Sequence, residues 1–94
     1  MLSISNAAYV DSFKISLVFN NEKEGVLDFQ PFLFADHCPI FQPLRDRNYF
    51  KRFVLQSGTL SWENELDFAP EFLFFQLFKN NPEYQTQFKS WEYN

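Results

Sequence analysis

Glycine occurs twice and cysteine once among the 94 residues of this chain. With only Gly25 and Gly58 there is no material for a glycine-rich phosphate loop, and no G-x-S-x-G elbow is present. Nucleotide enzymes and hydrolases built on those motifs are therefore excluded. The single Cys38 cannot staple an internal disulfide framework and fits a reducing compartment. Five prolines are too few for a collagenous or low-complexity chain. Long apolar runs are also missing: the densest, Phe72-Leu73-Phe74-Phe75, falls far short of the ~20 residues a membrane span needs. Met1 to Asp11 carries no Lys or Arg ahead of an apolar stretch, so no export signal is expected. These absences predict a soluble, cytoplasmic protein with no membrane partner.

Phenylalanine, by contrast, is abundant, with 14 Phe beside 4 Tyr and 2 Trp. Hydrophobic residues make up 46% of the chain, and 8 Lys+Arg against 12 Asp+Glu leave a formal charge of −4. That loading at so modest a charge excludes intrinsic disorder, and the length suits one domain.

Phe13, Ile15, Leu17 and Phe19 alternate with Lys14, Ser16 and Val18, the period of a half-buried strand. Ser3 to Val10 reads as a strand before it. Gly25 to Phe29 reads as a return strand after the polar turn Asn20-Asn21-Glu22-Lys23. Pro31 suits the first turn of a short helix over Phe32 to Ala35. Pro39 and Pro43 then impose a loop, with Ile40 and Phe41 as its expected anchors. Asp46 is placed to cap a short helix from Arg47 to Arg52, turning Tyr49, Phe50 and Phe53 inward. Ser57-Gly58 between Phe53–Gln56 and Thr59–Trp62 signals a second hairpin. The expected class is α+β: two antiparallel hairpins plus an N-terminal strand forming a small sheet, with two or three short helices.

Pro70 suits the first position of a longer helix that Asn80-Asn81 ends. Phe72, Phe74, Phe75 and Phe78, with Leu73 and Leu77, make that helix apolar almost all round, so more than one of its sides requires cover. Asn81-Pro82 restarts the helical signal, and Tyr84, Phe88 and Trp91 fall on one stripe at i, i+4 and i+7. The reading is one domain over residues 1–79 and a helical tail over 80–94, which packs on the domain or on a partner. One sheet covers only one side of the Phe-rich helix. Hence Phe72, Phe74, Phe75, Phe78, Tyr84, Phe88 and Trp91 are the expected partner-binding residues, and a homo-oligomer is expected.

Phe41-x-Pro43-Leu44-Arg45-Asp46-x-x-Tyr49-Phe50, followed by Gly58-x-Leu60-x-Trp62-x-Asn64-x-x-Asp67-x-x-Pro70-Glu71-x-Leu73, is too particular to arise from fold physics. With Val10-Asp11-x-Phe13, Phe19-Asn20 and Val26-x-Asp28-Phe29, it resembles the small bacterial domain of unknown function numbered 2442 over roughly residues 8 to 78. The resemblance implies a compact α+β domain with antiparallel strands. It also implies a recurrent setting beside genes for small RelE-like toxins, hence an antitoxin or toxin-partner role. Asp28, Asp46, Trp62, Asn64, Asp67 and Pro70 become its structural motif positions. Some relatives carry a helix-turn-helix after this domain. Here only residues 80–94 follow it, so autorepression by this chain alone is not expected. Where the family often has Pro-Asn-Gly after the Trp, this chain has Glu63-Asn64-Glu65, so either the turn is built differently or Asn64 takes its strained position.

Asp36-His37-Cys38 contains the side chains of a thiol enzyme, but neighbours in extended chain point apart. A zinc site on His37 and Cys38 needs two further carboxylates. Glu63, Glu65, Asp67 and Glu71 lie close in sequence, yet a turn followed by a helix start favours acidic residues anyway, and Asp67 is expected to tie down that start. Trp62 is expected in the core, its indole N–H bonded. No catalytic residue, metal or cofactor is expected. Arg45, Arg47, Lys51 and Arg52, interleaved with Tyr49 and Phe50, form a basic and aromatic segment. The principal expectation is a protein-interaction module; the alternative is nucleic-acid or operator binding through residues 45–52, alone or with a partner.

Overall fold

A computed structural model describes residues 1–34 and 39–92. Strands β1 (Ile4–Asp11), β2 (Lys14–Phe19) and β3 (Glu24–Asp28) form one antiparallel sheet in that order. Strands β4 (Val54–Gln56), β5 (Thr59–Ser61) and β6 (Asp67–Phe68) form a second. Between the sheets in sequence lie α1 (Gln30–Phe34), two single 3-10 turns (Pro39–Phe41 and Pro43–Arg45) and α2 (Arg47–Phe50). After them come α3 (Pro70–Phe78), a 3-10 turn at Pro82–Tyr84 and α4 (Gln85–Ser90). The α+β class, both hairpins and the N-terminal strand are as the pattern predicts. The strands divide between two sheets because the second hairpin gains its own third strand, β6, in place of joining the first. No helix among the described residues is long and apolar enough to cross a membrane.

The alternation in β2 translates directly into burial: Ile15, Leu17 and Phe19 face the core while Lys14 is exposed. Ser57 (φ 55) and Gly58 (φ 76) both lie in the left-handed region, the backbone of a two-residue hairpin turn whose twist suits antiparallel strands. Gly58 also touches β1. The Ile4 N–H donates to the Gly58 carbonyl at 2.9 Å, and a Cβ on Gly58 would lie 2.6 Å from the Ser3 Cβ. This contact joins the two sheets.

The helix starts follow local chemistry. Asp28 Oδ1 accepts from the Gln30 N–H at 3.0 Å, Asp46 Oδ1 from Asn48 at 2.9 Å and Asn81 Oδ1 from Glu83 at 2.9 Å. Buried Pro70 opens α3, but the capping expectation for Asp67 fails. Ala69 is the cap without a side-chain bond, while Asp67 stands exposed in β6, paired with Ser61. Proline at the helix start already removes one orphan N–H. The loop expectation is corrected as well: Leu44 is fully buried and Ile40 is exposed, so Leu44, with half-buried Phe41, anchors the segment.

The partner expectation for α3 changes most. Phe74 is wholly buried between β2 and the tail, with ring centroids 5.2 Å from Phe19, 5.1 Å from Tyr84 and 6.1 Å from Phe88. Phe88 is equally buried and lies 5.0 Å from Phe75. The tail stripe is thus the second cover that the helix requires, and it comes from the same chain. Phe74 and Phe88 cannot contact a partner from the folded state, and Phe72, Phe75, Phe78, Tyr84 and Trp91 are half-buried against the core. Phe88→Ala should therefore lower the unfolding free energy by about 3–5 kcal/mol, read from urea titrations. An unchanged midpoint would mean that the tail lies outside the cooperative core.

Candidate interaction surface

Phe29, Phe50, Trp62 and Phe68 meet at the centre of the domain. Trp62 lies 5.8 Å from Phe50 and 5.7 Å from Phe68, and its indole Nε1 donates to the Phe50 carbonyl at 2.9 Å. The Trp62 expectation of a core ring with a bonded N–H holds. Asn64 is the neighbouring fastener: its N–H donates to the Tyr49 hydroxyl at 3.0 Å, its Nδ2 to the Ile40 carbonyl at 3.2 Å, and its Oδ1 accepts from the Leu66 N–H at 3.3 Å. It does not take the strained turn position. Glu65 does, at φ 69, because Asn64 serves the turn with its side chain.

The outer edge of this ring cluster is an open groove of about 490 Å³ lined by Pro31, Phe32, Phe41, Phe68, Phe72, Gln76 and Lys79. Each element contributes by its own geometry. Helix α1 supplies Pro31 and Phe32, the first 3-10 turn supplies Phe41, and β6 supplies Phe68. Phe72 and Gln76 of α3, with Lys79 at its C-terminal cap, are spaced i, i+4 and i+7 along one stripe. Phe68 is stacked between Phe41 (6.1 Å, 16° between planes) and Phe72 (5.8 Å, 14°), and Phe32 stands edge-on to Phe68 and Phe72 at 5.8 Å. Three near-parallel rings thus make a floor, with one amide and one ammonium at its end. The Lys79 Nζ has a bond to Gln76 Oε1 at 3.4 Å and keeps donor capacity.

A second groove of about 470 Å³ has the opposite character, lined by Arg52, Val54, Gln56, Ser61, Trp62, Glu63, Glu65 and Asp67. Val54, Ser61 and Asp67 form one cross-strand row on the outer face of the second sheet, while Leu55, Leu60 and Phe68 form the row on the other face. Strand β6 therefore separates the grooves, Asp67 serving one and Phe68 the other. Three carboxylates and one guanidinium leave this second groove acidic. No group of three His, Cys, Asp or Glu among the described residues could hold a metal ion. Glu71 lies apart, in the first turn of α3. His37, Cys38 and Asp36 lie outside the described residues.

The basic segment does not present one face. Arg45 is half-buried, its Nε donating to the Leu33 carbonyl at 2.6 Å and its guanidinium lying 5.8 Å from the Phe34 ring. It is bound to the end of α1. Arg47 and Lys51 line a small pocket of about 280 Å³ with Tyr9, Asp46 and Asn48, with the Lys51 ammonium 5.4 Å from the Tyr9 ring. Arg52 turns to the acidic groove. Of the expected partner-binding residues, Phe72 lines the aromatic groove. Sequence reasoning missed Phe32, Phe41, Phe68, Gln76 and Lys79, although the i, i+4, i+7 spacing from Phe72 was there to be found.

A small α+β domain with paired antiparallel sheets and an aromatic groove is the class these features define. The family model for proteins of unknown function DUF2442 matches residues 4–78, and the chain belongs to that family. The match stops at the end of α3, so the tail that covers Phe74 lies outside it. No curated protein and no solved structure matches the chain.

Removing the Arg45 side chain tests its structural role. Arg45→Ala should cost about 1–2 kcal/mol by leaving a half-buried carbonyl without its charged donor. Arg47→Ala, on the surface, should stay within about 0.5 kcal/mol of the parent in the same thermal or urea unfolding series.

Proposed function

We propose that this protein is a cytoplasmic protein-interaction module that binds a protein partner through the Phe32-Phe41-Phe68-Phe72 groove, in the manner of an antitoxin-like toxin partner. The supporting observation is the strip of near-parallel rings that the described residues leave open, since apolar patches rimmed by polar groups mark interaction sites on soluble domains. The resemblance to domains encoded beside RelE-like toxins supports the choice of partner. The reading no longer needs the whole Phe-rich face of α3, and a homo-oligomer no longer follows from it. Nucleic-acid binding through residues 45–52 is less well supported, because two of the four cations point elsewhere.

A small RelE-like toxin, co-expressed with this chain, should co-purify with it, and Gln76→Glu on the groove rim should weaken that complex without shifting the melting temperature. A partner retained equally by the parent and by both Gln76→Glu and Phe72→Ser proteins would place the contact elsewhere. Salt-sensitive retention of DNA that is lost with Arg47→Ala and Lys51→Ala would favour the nucleic-acid reading.

A further inference from the structure

We infer that the aromatic groove takes a segment of a partner protein that carries one large apolar side chain beside an Asp or Glu, the apolar group lying on the Phe41, Phe68 and Phe72 rings and the carboxylate reaching Lys79. The inference rests on the interaction reading above and specifies what that partner must present. The distribution of charge is the ground for it. The chain is negative overall, at −4, yet the lining of this groove holds a single charge, the Lys79 ammonium.

Position reinforces charge. Gln76 and Lys79 continue the α3 stripe that begins at Phe72, so polar donors stand at one end of the ring floor and not around it. A ligand apolar throughout would leave the ammonium unmatched, and a basic one would face it directly. The acidic groove across β6 offers the reverse chemistry, with Glu63, Glu65 and Asp67 against Arg52. A segment bearing a carboxylate is repelled there, and one bearing Lys or Arg is drawn there. The two grooves thus discriminate between partner segments by sign.

A second copy of the chain is a weaker occupant. Its exposed apolar residues near acid include Val10, next to Asp11, Val26, between Glu24 and Asp28, and Val54, in the cross-strand row with Asp67, and docking any of them into the Lys79 groove joins two different surfaces. Such a contact is heterologous, and unless its rotation closes a ring it propagates into open chains.

The test is a selection of randomised linear displayed peptides on the intact protein, followed by titration of the consensus peptide under amide-shift detection. The expected consensus places a large apolar residue next to Asp or Glu, with shifts at Phe32, Phe41, Phe72 and Lys79. Lys79→Glu should weaken the consensus peptide about tenfold, and replacing the peptide acid by Lys should restore binding to that variant. Because Lys79 is exposed, the variant is expected to keep the parent fold. A consensus rich in Lys or Arg that shifts Glu63, Glu65 and Asp67 would overturn this assignment while leaving the interaction reading standing. Sedimentation showing mass that grows with concentration and is lost with Lys79→Glu would give the groove to a second copy. No enrichment over an unrelated protein, together with no binding to a co-expressed RelE-like toxin, would remove both.

Discussion

The packing of Trp62 between Phe50 and Phe68 is the constraint on which the rest of the molecule depends. Trp62 directly follows β5, Phe50 ends α2 and Phe68 belongs to β6, so one set of ring contacts fixes three elements of the second half. Phe29, at the end of the first sheet, lies 5.5 Å from Phe50 and 5.4 Å from Phe68 and ties that half in. Edge-to-face contacts dominate, as the opposed charge of ring face and ring edge favours. The indole N–H is satisfied within the core by the Phe50 carbonyl, so the ring brings no unpaired donor into it.

Much of this fold was legible because its signals are local. The alternation of Phe13 to Phe19 states which face of β2 is buried, Ser57-Gly58 has the backbone freedom a tight hairpin requires, and Asp46 and Asn81 are caps by side-chain length alone. Strand β6 was not legible, since two residues carry no period and exist as a strand only through pairing with Leu60 and Ser61. The candidate groove was legible only at Phe72. Its other rings come from α1, a 3-10 turn and β6, and no spacing along the chain announces that Phe41 will stack on Phe68.

The closure of α3 by its own tail decides between the two covers that the composition left open. Phenylalanine on every side of a helix does require cover on every side, and that step is sound. Of the two covers the sequence allowed, the domain's own tail supplies the one over Phe74, through Tyr84, Phe88 and Trp91. The basic segment shows the opposite outcome. Clustering in sequence became dispersal in space once Arg45 bound the Leu33 carbonyl and Arg52 turned toward the second sheet.

Phe68 explains why the interior and the groove are one feature. One of its ring neighbours is Trp62 in the core; two others, Phe41 and Phe72, are half-exposed. A strand residue backed by the core on one side and flanked by stacked rings on the other extends the aromatic packing to the surface without a polar layer between. Phe41 and Phe72 pack against the core and line the groove at once, so the ring stack runs continuously from Trp62 to the surface, and the groove is where it ends.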